Sequence, residues 1–478
     1  MHRLVRVSSL CALVGFAACG APPKMPAAAQ PNEIRYEVAI EESEVSTIEL
    51  AIVATFPPGT ASELSVTEGA EPFVGNVEVS TSDESWNARS VLRGSWFAEE
   101  CANGCRVRYR FALERAGDEE DEDGVAMETH GVLESPPPAW LLHPLRVFSD
   151  IPVYIHVVSH VKGVTMATGV REVAHAKDTY RLTAGELPIA PYTVFGKFRR
   201  QDVDVGASAK IHFAIASGKL TASDADLDAW ASRAGHAVSD FYGRFPIPGT
   251  LVVALPSRGD DVGFGRTMAG GGASILINVG RTTDKQALDG DWVAVHEMIH
   301  LAFPSMGREH AWIEEGLATY LEPLVRVHAG MTTEKNVWLE FMTMLQNGLP
   351  RPGDRGLERT PTWGRVYWGG ALFCLLADLE IRERTQNSKS LDDAVRGILA
   401  AGGDDTARWT MEYAFDKGDE ATGVPVLREL YQKLGFASVD VDLDAIWKKL
   451  GLSLQGRDVV FDDSAPEAAI RKSMTARR

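Results

Sequence analysis

Apolar and polar residues alternate in short runs over the first half of the chain, at 33–40, 46–56, 76–80, 106–113 and 153–158. A period of two puts one face of each run against a core and the other in water, which predicts strands. Turn residues such as Pro57-Pro58-Gly59 separate the runs, and Pro136-Pro137-Pro138 predicts another loop. The pattern predicts an antiparallel β-sandwich-like domain over 33–205. Beyond it, 210–217 reads as a strand. Ser223 with Asp226 then caps a helix whose apolar positions are Leu227, Trp230, Ala231, Ala234, Val238 and Phe241. Residues 251–255 and 273–279 read as further strands, the second either an edge that receives an extended peptide or an ordinary sheet strand. Between them lies a Gly-rich stretch, 263–272, without the Gly-Lys-Ser/Thr ending of a phosphate loop. Apolar helix faces return at Leu372, Leu375, Leu376 and Leu379, with Ser390 and Asp393 as the next cap. From about residue 406 the pattern is helical, then mixed, and a polar tail is expected from Phe461 onward. The fold class is therefore α+β and multidomain.

The chain has 478 residues, 45% of them hydrophobic and 24% charged, which is ordinary for globular domains. A formal charge of −18 with no basic stripe argues against a nucleic-acid partner. The acidic run at 118–123 reads as a solvated loop. Arg3 and Arg6, the apolar segment 7–18 and Ala17-Ala18 form a signal peptide, residues 1–18. Its apolar part is too short to span a bilayer comfortably, and no later segment is long and apolar enough to do so. Phe16-Ala17-Ala18-Cys19 resembles a bacterial lipobox, so the expectation is export to the cell envelope. There a lipid on Cys19 would provide the membrane contact, followed by an Ala/Pro-rich tether, 19–32. Cys101 and Cys105, separated by Ala-Asn-Gly, suit a hairpin disulfide in an oxidising compartment; a metal pair is the alternative. Cys374 reads as a buried thiol.

The chemistry is concentrated at His296-Glu297-Met298-Ile299-His300. On a helix, residues four apart share a face, so both imidazoles can meet one Zn²⁺ ion while Glu297 stands beside it as a general base. Two core histidines at chance spacing are the bland alternative. Asp291 is placed to cap that helix and Pro304 to end it. A third ligand is needed, with one position left for water. The segment Trp312-Ile313-Glu314-Glu315-Gly316-Leu317-Ala318-Thr319-Tyr320 offers a carboxylate early on a second helix. Glu315 is the choice, although periodicity does not separate it from Glu314.

These two segments together resemble the gluzincin zinc peptidases, in which the Glu before Gly is the third ligand; this maps to Glu315. Fourteen residues separate His300 from Glu315, so the loop containing His310 must be tight. A second block, Tyr367-Trp368-Gly369-Gly370-Ala371-Leu372 through Ser390-Leu391-Asp392-Asp393, resembles the glycyl aminopeptidase family of that clan, with its Y-x-K-G-A-L and S-L-D-D motifs. The resemblance implies a thermolysin-like catalytic domain over 206–365 and a helical part with a tail over 366–478. It also implies Tyr367 as transition-state stabiliser, one catalytic zinc and a peptide or protein substrate. The chain departs from the family at Gly369, where the motif has Lys. It departs again at Met268-Ala269-Gly270-Gly271-Gly272-Ala273-Ser274, where aminopeptidases carry a Glu that grips the substrate amine. No PDZ module is expected after Leu450. Endopeptidase action therefore stands open beside aminopeptidase action. A surface lipoprotein that keeps the fold only as a peptide-binding scaffold is the rival reading.

Overall fold

The computed structural model describes residues 32–477 apart from 83–84, 120–123, 130, 146–149 and 219. The signal, the lipobox, most of the tether and residues 120–123 of the acidic run lie outside the described residues. Among the described residues no helix is long and apolar enough to cross a membrane.

The alternating runs of the first half are strands. A seven-stranded sheet takes in Ile34–Glu42, Ile48–Phe56, Val74–Ser80, Cys105–Phe111 and Pro152–Ser159 among its members. Tyr36 faces Ala54, Val38 faces Ile52 and Ile40 faces Leu50 in register, so one side of the sheet buries a continuous apolar layer. Ile34–Glu42 and Pro152–Ser159 pair in parallel, so the sheet is mixed and not wholly antiparallel. A three-stranded and a four-stranded sheet complete the β-rich region. Pro137–Trp140 is a short helix where three prolines predicted a loop; its prolines occupy the first turn, where no amide is needed. Cys101 and Cys105 are bridged, which removes the metal-pair alternative. The bridge joins a 3₁₀ turn, Glu99–Asn103, to the start of a strand and does not close a hairpin.

The second half is built on a five-stranded sheet. Its strands are β1 (Phe198–Asp204), β2 (Lys210–Ala216), β3 (Gly249–Ser257), β4 (Val262–Ala269) and β5 (Ala273–Gly280), in the order β1-β2-β3-β5-β4. β2, β3 and β5 are mutually parallel; β1 and β4 run antiparallel to their neighbours. The expected edge at 273–279 is therefore internal. The edge is β4, formed by the Gly-rich stretch, whose low strand propensity concealed it. One face of the sheet packs on helix α1 (Asp224–Tyr242), where Phe213 meets Trp230. Ser223 and Asp226 make the expected capping box there. On the other face Leu251, Val253, Leu255 and Leu276 pack with Val132, Ala167 and Val194 of the four-stranded sheet. The two halves thus share a core layer.

Three further helices carry the site: α2 (Val293–His300), α3 (Ala311–His328) and α4 (Gly370–Arg384). Ser390 and Asp393 cap the next helix as expected. The expected polar tail instead forms a helix, Ala468–Met474, with Ile470, Arg471 and Met474 buried. Arg471 Nη1 donates to Leu450 O at 3.0 Å, and His328 Nε2 bonds Met474 O at 2.8 Å. Apolar burial around an arginine held by carbonyls and by the Asp463 carboxylate explains why a polar-looking stretch docks.

Candidate metal centre

Helix α2 begins on a buried cap. The Asp291 carboxylate accepts from Val293 N at 2.9 Å, Ala294 N at 3.1 Å and Trp230 Nε1 at 2.7 Å. Residues 293–299 are all buried, and His300 is half-buried at the end. His296 and His300 share one face, their ring centroids 5.1 Å apart. Glu315 enters from α3. Its Oε2 stands 3.4 Å from His296 Nε2 and 3.7 Å from His300 Nε2. One ligand atom from each of the three residues lies within 4.8 Å of the others. Neighbouring helical residues point about 100° apart, which settles the choice between the two glutamates. Glu314 turns away and accepts from Met306 N at 2.7 Å.

Burial pushes the Glu315 carboxyl up, but the bond from His296 and the charges of both histidines hold it below the usual carboxylate value. Burial pushes the His300 imidazole down, toward its neutral form. Neutral imidazole and ionised carboxylate are the forms that bind a metal. Bonds of about 2.0–2.1 Å to a tetrahedral zinc place neighbouring ligand atoms about 3.3–3.4 Å apart. The 3.4 Å separation matches that edge and the 3.7 Å separation exceeds it by a few tenths of an ångström.

Glu297 lies beside this cluster, 7% exposed. Thr267 Oγ1, on edge strand β4, donates to its Oε2 at 2.6 Å. Two residues earlier, a Cβ built on Gly265 would stand 2.6 Å from Glu297 Cγ. The glycine leaves room for the carboxylate and the threonine orients it. Burial raises the Glu297 pKa, with His300 and the Thr267 bond pulling the other way. If Glu297 is the base, Thr267→Val should leave the fold intact and lower kcat about 10- to 100-fold, the cost of misplacing a reacting group. Steady-state kinetics beside a thermal melt check this.

Tyr367 sits on one π-helical turn, Gly364–Gly369, just ahead of α4. Burial, together with the negative charge of Glu315, raises the pKa of its hydroxyl to about 12, so the proton stays on. Its position depends on a close helix crossing. A Cβ on Gly316 would come 2.3 Å from Gly370 Cα, and one on Gly370 would come 1.9 Å from Trp312 O. Helices α3 and α4 touch backbone to backbone there. The glycines of Glu315-Gly316 and Gly369-Gly370-Ala371 supply that contact, so Glu315 and Tyr367 are set against each other. His310, in the short loop before α3, bonds Glu358 at 2.9 Å, and Trp312 Nε1 donates to the same carboxylate at 3.0 Å.

The cluster opens into a cavity of about 1000 Å³ bounded by β4, α2, α3 and the turn before α4. Phe264, Trp292 and Trp363 line it while remaining 67%, 51% and 61% exposed. No family model and no curated relative matches the sequence. Solved structures do match. An aminopeptidase N family protein from Idiomarina loihiensis superposes with a TM-score of 0.67 at 13% identity, covering 88% of this chain and 79% of its own. An M1 zinc metallopeptidase from Deinococcus radiodurans gives 0.50 at 14% identity, covering 86% and 93%. A point mutant of an M1 zinc metallopeptidase from the same organism, bound to a Tyr-Ser-Ala substrate, gives 0.51 at 14% identity, covering 86% and 94%.

This chain has a gluzincin peptidase fold.

Within that gluzincin fold, the structure brings together all five residues singled out from the sequence: His296, His300, Glu315, Glu297 and Tyr367. The sequence reading missed Gly265 and Thr267. Their signal was present as a small residue and a hydroxyl at alternate positions of one strand. It became readable only once β4 was recognised as a strand facing α2.

Proposed function

We propose that this chain is a zinc-dependent peptidase, exported and anchored through a lipid on Cys19. The observation that carries the reading is the convergence of His296, His300 and Glu315 beside Glu297 in an open cleft. Those three side chains would hold the ion. Bound there, zinc supplies a Lewis acid and brings the pKa of a water toward about 7. Glu297, oriented by Thr267, takes a proton from the attacking water and returns it to the leaving amine. The protonated Tyr367 hydroxyl donates to the substrate carbonyl oxygen as negative charge develops on it. Edge strand β4 offers backbone groups to an extended peptide, and the exposed aromatics give its side chains apolar contact. The bridged cysteines support the export reading, since such bonds persist in oxidising compartments.

The test is cleavage of a peptide mixture, half N-acetylated, read by mass spectrometry with and without a chelator. Zinc-loaded protein should cut, chelation should abolish cutting, and added zinc should restore it. Zinc at about a thousandfold its Kd should also stabilise the fold by about 4 kcal/mol, seen as a lower Tm after chelation. Cuts confined to unblocked termini would make it an aminopeptidase, and internal cuts in both halves an endopeptidase. Bound zinc with no cutting would favour the scaffold reading.

A further inference from the structure

Gly265 and Thr267 face α2, so Arg266 between them points to the other side of β4. There its Nη2 donates to Glu134 Oε2 at 2.7 Å, and its guanidinium lies 5.1 Å from the centroid of the Tyr192 ring. Arg266 and Tyr192 nevertheless line the same cleft as Glu297. The ion pair is unequally open. The Glu134 side chain is 7% exposed and that of Arg266 is 30% exposed. A molecule entering the cleft meets the cation and not its partner. The bond to Glu134 engages Nη2, and a guanidinium carries five N–H donors in a planar fork suited to carboxylates. Burial pushes the Glu134 carboxyl up against the pull of Arg266.

The other arginine on the cleft wall is differently placed. Arg326 is 12% exposed, donates to Glu322 at 2.8 Å and to Gly290 O at 3.0 Å. Among the described residues lining the cleft, Arg266 is thus the more open arginine. A guanidinium repels an ammonium group and attracts a carboxylate.

We propose that Arg266 forms a subsite for a substrate carboxylate adjacent to the bond presented to Glu297. The proposal rests on the peptidase reading for the identity of that bond. The carboxylate belongs either to an acidic side chain or to a peptide C-terminus. In both cases an unblocked substrate amine contributes nothing.

Binding to zinc-loaded Glu297→Gln protein, followed by fluorescence anisotropy, tests this without turnover. Four peptides of one sequence serve as probes. The first is blocked at both ends with Glu at the variable position, and the second is its Gln twin. The third and fourth are the Gln twin with a bare C-terminus and with a bare N-terminus. At least one carboxylate peptide should bind about tenfold tighter than the blocked Gln twin. Arg266→Gln should erase the difference, and Arg266→Lys should keep part of it. The winning peptide identifies the source of the carboxylate. Equal binding of all four overturns the proposal. So does a preference for the bare N-terminus, a preference that survives Arg266→Gln, or no binding at all. The peptidase reading fails by a separate result, wild-type zinc protein that cuts none of the four.

Discussion

Glu297→Gln should bind zinc as the wild type does and lose about 10²- to 10⁴-fold in kcat, the usual contribution of a positioned acid–base group. The amide has nearly the shape of the carboxylate, and its oxygen still accepts from Thr267, which donates at 2.6 Å in the wild type. Helix α2 keeps its cap on Asp291, and His296, His300 and Glu315 are untouched. The substitution therefore removes the proton acceptor while leaving the ligand cluster and the 7%-exposed pocket around position 297 in place. Metal content by elemental analysis and kcat on a cleaved peptide read the two effects separately. Turnover within tenfold of wild type, with zinc bound, would remove Glu297 from the mechanism.

Gly370→Ala should cost about 2–3 kcal/mol of stability and most of the activity. The new methyl would stand 1.9 Å from Trp312 O, which is backbone and has nowhere to go unless α3 and α4 separate. Separation moves Glu315, on α3, away from Tyr367, just ahead of α4. The loss should thus appear both in the melting temperature and in zinc affinity. Gly75→Ala is the control. No atom stands within 4 Å of its added Cβ and its φ is ordinary, so its effect should stay within about 0.5 kcal/mol. A Gly370→Ala protein that melts with the wild type would show that the helices have slack at the crossing.

The readable part of this chain was local. The His296/His300 spacing, the Ser223–Asp226 and Ser390–Asp393 caps and the alternating strands depend on neighbours within a few residues, and all formed as expected. Glu315 over Glu314 was not local, because both lie on the same turn and only the placement of α2 and Met306 separates them. β4 was hidden because glycine has little strand propensity. Its glycine at 265 is there for Glu297, far along the sequence. The Arg266–Glu134 pair spans 132 positions of sequence and carries no pattern at all. The 468–474 helix looked polar because the partners of its central arginine, the carbonyls of Leu450 and Gly451 and the Asp463 carboxylate, lie outside it.

The layer in which Val132, Ala167 and Val194 meet Leu251, Val253, Leu255 and Leu276 bears on how this chain could be divided. A fragment cut near residue 206 would carry the ligands, the base and Tyr367, yet it would bare the apolar face of its central sheet to water. Such a face invites association between copies. The β-rich half is thus less an accessory than the other side of the five-stranded sheet's core. Recombination with a relative would have to exchange the two halves together, or rebuild the layer between them.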